Sequence, residues 1–356
     1  MAVRVNKPEE NIAEKLRKLD KPSGVAGEAI LRAGTTREQQ NILGVGRRNL
    51  IINGDFRISQ RGNYTSNTAV SNDTIYVDRW LYRGSGVTAN TRHEIGNNTN
   101  WGYPYKGSDS LVLTASSSGT GIMRHLQRVE GWYSGMPITF SAWVRSNSPK
   151  ARLFMYQHGG NPAYRVSSQP HSGNGGWEYL SFTAVNDSDA ANQNYFDIAI
   201  AEADFSTTYI ATGDYIEISE VQAEIGTVAT PFERRHITEE LQLCKRFYQK
   251  SFAYGVTPAN HPSSATGFIT VQGLVFSQAS HNNSDRDSFQ FEVEMRAAPG
   301  ITTYGNNSGY WFSNVSGWHQ HNRVLTNINT KGFIFRQQAS GGVIDVAGHF
   351  AADAEF

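Results

Sequence analysis

The chain has 356 residues, and its 32 basic and 32 acidic side chains give a formal net charge of zero. This balance argues against nucleic acid as the main partner, because neutralising phosphates requires a concentrated basic surface. The single cysteine, Cys244, excludes an intramolecular disulfide and any cysteine cluster that would hold zinc or an iron–sulfur centre.

Residues 1–48 are predicted to form short polar helices, unlike the rest of the chain. Ile12, Leu16 and Leu19 form one apolar stripe at helical spacing. Helices this short are marginal alone in water, so they need a surface on which to dock. We interpret the segment as an anchor that binds a partner protein or a sister chain. A helical cap on the chain's own next domain is the alternative.

Residues 49–230 contain recurring strand patterns, separated by turn clusters rich in Asn, Gly and Ser. In the string ITFSAWVRS, apolar residues from Ile138 to Val144 point one way, while Trp143 and the polar residues point the other way. Strand-scale spacing without helical intervals predicts a β-sandwich or jelly roll.

The period then changes from strand to helix, and residues 231–250 are predicted to form a linker helix. Its apolar stripe consists of Ile237, Leu241, Cys244 and Tyr248. We expect this stripe to pack under a domain or against two sister helices at a three-fold axis.

Residues 251–356 are predicted to form a second β-sandwich, because strings such as FQFEVEM alternate strictly and the turns between them are rich in Asn, Gly and Ser. The fold class is therefore mainly β: a jelly-roll β-sandwich and a C-terminal β-sandwich, with a short helical N-terminal anchor and a linker helix.

Several strings resemble a carbohydrate-binding-module-like jelly roll found in many tailed-phage virion proteins. They include NLIINGDFRISQRG with the following VDRW, and EISEVQAEIGTVATPFERRHITEELQLCKRFYQ at the change from strand to helix. The leader NKPEENIAEKLRKLDKPSG is similar to that of structural proteins in marine phages.

This resemblance implies a non-enzymatic virion protein, a tail fibre or similar appendage, that is made in the host cytoplasm. It would attach to another virion protein by its N-terminus, form homotrimers and present β-domains for adsorption to a host-surface glycan. A capsid head fibre or decoration protein is the alternative, and a glycan hydrolase (depolymerase) is the alternative of another class. No apolar run approaches the ~20 residues of a membrane helix, and the N-terminus lacks the apolar core of a signal peptide, so we expect no membrane insertion.

Candidate site residues are aromatic and acidic. Sugar rings stack on exposed Trp or Tyr, so the glycan or receptor-contact candidates are the aromatic residues of turn-rich loops: Trp101, Tyr103, Tyr105, Tyr310, Trp311 and Trp318. Core or interface packing is the alternative for each cluster. The resemblance also implies a structural calcium ion, with Asp55 and Glu220 as oxygen ligands, and a surface salt bridge is the alternative. The sequence identifies no catalytic residue and implies no other cofactor.

Overall fold

The computed structural model describes residues 39, 48–62, 64–95, 109–131, 133, 135–157, 166–185, 193–254, 256–260, 286–305, 312–313, 322–338, 346–347 and 349–355. The predicted anchor residues Ile12, Leu16 and Leu19 lie outside this described part, as do all six aromatic contact candidates.

Two antiparallel sheets form the larger unit, and their strands are numbered in chain order. The first sheet contains, in spatial order, β1 (Thr68–Val70), β4 (Ala89–Glu94), β5 (Ser110–Ala115), β13 (Tyr215–Ile225), β7 (Pro137–Ser146) and β10 (Trp177–Val185). The second sheet contains β2 (Thr74–Val77), β3 (Trp80–Ser85), β6 (Gly119–Glu130), β11 (Gln193–Ile200), β8 (Ala151–Gln157) and β9 (Val166–Ser167), with β12 (Thr208–Ile210) paired to β6.

The main core lies between these two sheets. Ile138, Phe140 and Val144 of β7 are fully buried in it, as the alternating pattern predicts. Phe140 packs edge-on against Phe196 of β11, with ring centroids 5.1 Å apart. Each such side chain stabilises the fold by roughly 2 kcal/mol through burial alone. The predicted β-sandwich is confirmed.

The predicted linker helix is shorter than residues 231–250. Helix α1 spans Ile237–Lys245, and Tyr248 lies instead in strand β14 (Tyr248–Lys250). Ile237 is 40% exposed, and the buried residues of the helix are Glu240 and Cys244. The stripe from Ile237 to Tyr248 is therefore not one helical face, because the helix ends at Lys245 and the chain then forms a buried strand. In the described part of the chain, no helix is long and apolar enough to cross a bilayer.

The remaining strands form a small second sandwich. One sheet contains β14, β21 (His349–Asp353) and β16 (Gly300–Tyr304), and the other contains β15 (Arg286–Gln290), β19 (Gly332–Gln338) and β18 (Asn322–Asn329). Strands β17 (Phe312–Ser313) and β20 (Val346–Ala347) pair separately. Phe289, Phe291, Phe333 and Phe350 pack in the core between the two sheets. The mainly β fold class with a C-terminal sandwich is thus confirmed.

Residues 48–61 run along the end of the large sandwich and meet both β13 and α1. The Val221 amide donates to the Gly54 carbonyl at 2.9 Å, and a Cβ at Gly54 would overlap the Val221 carbonyl oxygen, so glycine permits this close approach. We call residues 48–61 together with α1 the helix joint.

Arginines of the large sandwich cover aromatic rings that follow the helix. The Arg79 guanidinium lies 3.5 Å from the centroid of the Phe247 ring, and that of Arg61 lies 3.8 Å from the Tyr248 ring. Arg61 also pairs with Asp353 of β21 at 2.7 Å. These contacts fix the C-terminal end of the described chain against the second sheet.

Candidate functional site

A cross-strand aromatic pair lies on the outer face of the first sheet. Because Ala142 and Val144 point into the core, Trp143 points away from it. The register of β7 and β10 places Tyr179 opposite Trp143, with ring centroids 5.4 Å apart and planes inclined by 55°. Tyr179 is 44% exposed and Trp143 is half-buried. Trp143 and Tyr179 form what we call the aromatic pair.

Hydrogen bonds fix a row of polar groups next to the aromatic pair. Arg145 pairs with Glu217 of β13 at 2.8 Å and donates to the Gly175 carbonyl at 2.8 Å. The second carboxylate oxygen of Glu217 accepts from the Ser110 hydroxyl at 2.7 Å. Trp177 lies opposite Arg145 in the register, so a further aromatic residue borders this row.

The Tyr179 hydroxyl stays protonated at neutral pH. Burial raises the pKa of Tyr179, and a hydrogen bond with Ser141 opposes this shift. Ser181, exposed, lies opposite Ser141 across the same strand pair. A ring face with hydroxyl donors and acceptors beside it is the combination that sugar recognition requires.

Sequence reasoning placed Trp143 on the correct face but chose aromatic residues in loops as the contact candidates. The aromatic pair was not among those candidates, although each of its residues stands at a polar-facing position of its strand, Trp143 in ITFSAWVRS and Tyr179 in GWEYLSF. The segment with Trp101, Tyr103 and Tyr105 connects β4 and β5. Asp109 is the first described residue after this segment, and its carbonyl oxygen accepts a hydrogen bond from the Ser219 hydroxyl at 2.7 Å. The register of β13 and β7 places Ser219 opposite Trp143.

The two proposed calcium ligands lie near one guanidinium group. Glu220 sits at the register shift of β13 with a φ of 49°, and its carboxylate pairs with Arg234. Arg234 also lies 3.9 Å from Asp55, which pairs with Arg57 at 2.5 Å. Among the described residues, no group of three or more His, Cys, Asp or Glu side chains converges to hold a metal. The residues therefore do not fit a resident calcium ion, because guanidinium groups already supply the positive charge.

Other buried carboxylates also hold parts of the backbone together. Glu224 accepts from the Thr230 amide at 2.8 Å, the Thr230 hydroxyl at 2.7 Å and the Gln222 amide group at 2.9 Å. Asp197, on the outer face of the second sheet, pairs with Arg124 at 2.6 Å. These acids have fixed structural partners, unlike a pair held apart across a scissile bond.

Comparison with known proteins gives no family assignment. No protein-family model matches the chain, and no curated protein matches it. Similar solved structures include TmCBM61 in complex with beta-1,4-galactotriose, at 14% identity and a TM-score of 0.31 over 50% of this chain and 99% of that chain. The enzymatically active domain of Bacteriophage CBA120 tailspike protein 4 matches at 15% identity and a TM-score of 0.32 over 50% of this chain, which spans only 21% of that domain.

A third similar structure is the CBM22-1–GH10 part of a Clostridium thermocellum xylanase complexed with xylohexaose, at 11% identity and a TM-score of 0.28 over 51% of this chain and 29% of that chain. Because identity and TM-score are low in all three, none of these likenesses identifies a ligand or an activity for this chain.

Proposed function

We propose that the protein is a structural component of a tailed-phage virion, a tail fibre or similar appendage, and that it binds a host-surface glycan through the aromatic pair. The observation that carries the glycan proposal is the partly exposed Trp143–Tyr179 pair on the outer face of a rigid sheet. The strings that resemble phage virion jelly rolls support the virion setting.

The geometry of the aromatic pair suits a sugar ring in a glycan chain. Two rings inclined by 55° form a shallow corner, and a pyranose presents a C–H face to such rings. The partly exposed Arg145 guanidinium offers donors, and the exposed Ser181 hydroxyl offers a donor and an acceptor, to the hydroxyl groups at the ring edge.

Affinity in this proposal comes from several copies acting together. A single shallow face binds weakly, and several sites on one particle raise the overall affinity by about two to four orders of magnitude. Residues 1–48 would attach the protein to the virion, and three chains would present three aromatic pairs. The protein has a binding role and no catalytic one in this proposal.

Single substitutions in the full chain test the glycan site. We expect Trp143→Ala and Tyr179→Ala to weaken binding to an array of bacterial surface polysaccharides and neutral hexasaccharides by about tenfold, since losing one aromatic surface on which a ring stacks costs on the order of 1–2 kcal/mol. Tyr209→Ala is the matched control, because Tyr209 is 66% exposed on β12 of the other sheet.

Wild-type binding by Trp143→Ala, with the fold intact by circular dichroism, would refute the glycan site. Release of reducing ends from any bound polysaccharide would refute the non-catalytic role. Electron microscopy of the virion with an antibody to the chain tests the location, and label on capsomers would contradict a tail appendage.

A further inference from the structure

One edge of the large sandwich differs from its other three edges. Strand β10 ends the first sheet, and all nine of its residues pair with β7 without a register shift. The other edge strands are β1 with three residues, β9 with two, and β2 with four and an irregular register. A long regular edge offers its N–H and C=O groups to a further strand, whereas short or irregular edges resist such pairing. In the described part of the chain, no strand pairs with the outer edge of β10.

The composition of β10 also lacks the residues that protect an edge strand from pairing. The strand reads WEYLSFTAV, without lysine, arginine or proline, and Glu178 is its one charged residue. Its outward side chains are accessible, since Tyr179 is 44% and Val185 is 63% exposed. Ser181 and Thr183, between them on the same face, are exposed as well. The strand therefore presents a polar and apolar surface that carries almost no charge.

The core of the large sandwich is incompletely covered at this edge. Phe182 and Ala184 of β10 point inward and pack against the core, but both remain partly exposed. Phe182 contacts Phe140 edge-on, with ring centroids 6.2 Å apart. Leu180, one turn of the pleat earlier, is by contrast 8% exposed. A strand added along β10 would remove the remaining apolar surface of Phe182 and Ala184 from water, which favours the addition.

We infer that the outer edge of β10 binds β10 of a second copy of this chain, antiparallel and centred on Ser181. In this register Ser181 faces itself across a two-fold axis, as in an isologous interface. Tyr179 then faces Thr183 of the second copy, and Trp177 faces its Val185. Aromatic residues thus lie opposite β-branched residues, and such cross-strand pairs stabilise a sheet. The sequence of β10 is in this sense complementary to itself.

The charge of Glu178 favours this orientation. In the antiparallel register, Glu178 faces Ala184 of the second copy, so the two Glu178 residues lie about 20 Å apart along the strands. A parallel pair in register would place the two carboxylates side by side, and like charges directly opposite each other destabilise a strand pair. On the inner side Leu180 faces Phe182, so the antiparallel pairing also extends the apolar core from one chain to the other.

The pairing joins the first sheets of two chains into one sheet. Their outer faces become continuous, with the two Tyr179 residues about 13–14 Å apart along the strands. The pairing itself is a self-association and does not rest on glycan binding.

Cysteine cross-linking of the full chain tests the register. Ser181→Cys places two thiols directly opposite each other, within the Cα separation of roughly 4.4–6.8 Å that a disulfide spans. Val185→Cys is the matched control, because Val185 is at least as accessible but its two copies lie about 27 Å apart in this register. We expect mild oxidation to form the covalent dimer at least about tenfold faster in Ser181→Cys than in Val185→Cys. The native Cys244 is fully buried and does not compete.

A charge at the two-fold axis tests the association without a cross-link. Ser181→Lys places two lysines opposite each other, so we expect self-association in sedimentation velocity to weaken by about three- to fivefold. Added salt should restore it, because salt screens the repulsion between the two ammonium groups. Thr120→Lys is the control, since Thr120 is an exposed hydroxyl residue of β6 in the other sheet, and it should associate like the wild type.

Equal cross-linking of Ser181→Cys and Val185→Cys would overturn the register, and no covalent dimer in either variant would overturn the pairing. Wild-type association by Ser181→Lys at low salt would exclude β10 as the contact. Glycan binding by the wild type without a cross-link in Ser181→Cys would refute the pairing alone. A cross-link without glycan binding would refute the aromatic pair as a glycan site alone, so the two proposals fail separately.

Discussion

Arg235, just before α1, and Glu240 of α1 form a buried ion pair at the helix joint, with Nη1 and Oε1 3.2 Å apart and neither side chain more than 5% exposed. Arg235 also donates to the carbonyls of Asn49 and Ile51, and Glu240 accepts from the Asn53 amide. The pair thus ties three separate parts of the chain together: residues 49–53, the segment before the helix, and the helix.

Removing the Glu240 carboxylate is expected to destabilise the protein strongly. Glu240→Ala leaves the Arg235 guanidinium buried without its main countercharge, and breaking a buried pair in this way costs about 3–5 kcal/mol. Urea unfolding followed by tryptophan fluorescence measures the loss.

Glu94→Gln is the control, because the Arg92–Glu94 pair is partly exposed and worth less than about 1 kcal/mol. If Glu240→Ala lowered the free energy of unfolding by less than about 1 kcal/mol, the buried pair would stabilise the helix joint no more than an exposed ion pair does.

Two buried groups of the large sandwich make the free energy of unfolding depend on pH in opposite directions. His125 lies between the sheets, with Nδ1 2.5 Å from the Tyr76 hydroxyl and Nε2 3.2 Å from the Ile216 carbonyl oxygen. Burial lowers the pKa of His125 to about 3, below its value of ~6.5 in the unfolded chain. Between about pH 3 and 6.5 the unfolded chain therefore binds more protons than the folded chain. The contribution of neutral His125 to the free energy of unfolding is complete above pH 6.5 and is lost as the pH falls towards 3.

The buried carboxyl group of Asp78 changes the free energy of unfolding with pH in the opposite direction. Burial raises the pKa of Asp78 to about 6, against the opposing effects of Arg61 and of hydrogen bonds from Gln60. The folded chain then binds more protons between about pH 4 and 6, so the contribution of Asp78 increases as the pH falls through this window.

We therefore expect Asp78→Asn to lose stability more steeply than the wild type on acidification from pH 6 to 4. The difference is on the order of 1 kcal/mol per pH unit, and urea unfolding at four pH values across the window measures it. Asp73→Asn, at a half-exposed acid, serves as the control with a curve parallel to the wild type. Parallel curves for Asp78→Asn as well would show that Asp78 does not take up a proton in the folded state.

The alternating strands were predictable because each face of a half-buried strand has its own chemistry. ITFSAWVRS gave the correct inward residues, Ile138 to Val144, and the correct outward position of Trp143. The helix joint was not predictable in the same way. Glu240 looks like a solvated residue of a first helical turn, and its Asn53 partner lies 187 residues earlier in the chain.

The candidate sites depended on register and on contacts between distant segments. Tyr179 becomes the partner of Trp143 only through the pairing of β7 with β10. The ion pair between Arg79 and Glu355 likewise joins two residues that are 276 positions apart. Local periodicity contains neither relation, which is why loop aromatics were the candidates from sequence alone.

Calcium is expected to have no effect on the wild-type protein but to stabilise an Arg234 variant. In Arg234→Ala, the buried Glu220 carboxylate loses its paired guanidinium, and Asp55 retains only Arg57. The two carboxylates that contact Arg234 in the wild type would then attract a hard divalent cation, with an affinity on the order of 10⁻⁴–10⁻³ M. Thermal melting with EDTA, with calcium and with magnesium measures the effect.

We expect the wild-type protein to melt at the same temperature in all three conditions. The Arg234→Ala variant should melt at a lower temperature than the wild type, and millimolar calcium should partly restore its melting temperature. A fall in the wild-type melting temperature with EDTA would contradict the replacement of a metal by the Arg234 guanidinium.

The thiol of Cys244 is expected to report opening of the helix joint. Cys244 is fully buried on the inner face of α1, and burial raises the pKa of its thiol well above the usual value. Because the thiolate is the reactive form, the native protein should react with Ellman's reagent only through transient opening. The urea-unfolded chain, with its single cysteine, should release one equivalent of thionitrobenzoate at once.

Glu240→Ala should accelerate this reaction in the native state by more than about a hundredfold, because a loss of about 3–5 kcal/mol in the joint raises the open population by that factor or more. Glu94→Gln should leave the rate unchanged. If Glu240→Ala lowered global stability in urea without accelerating the thiol reaction, Cys244 would be exposed by a local opening that leaves the Arg235–Glu240 pair intact. The pair would then not be what holds the helix against the sandwich.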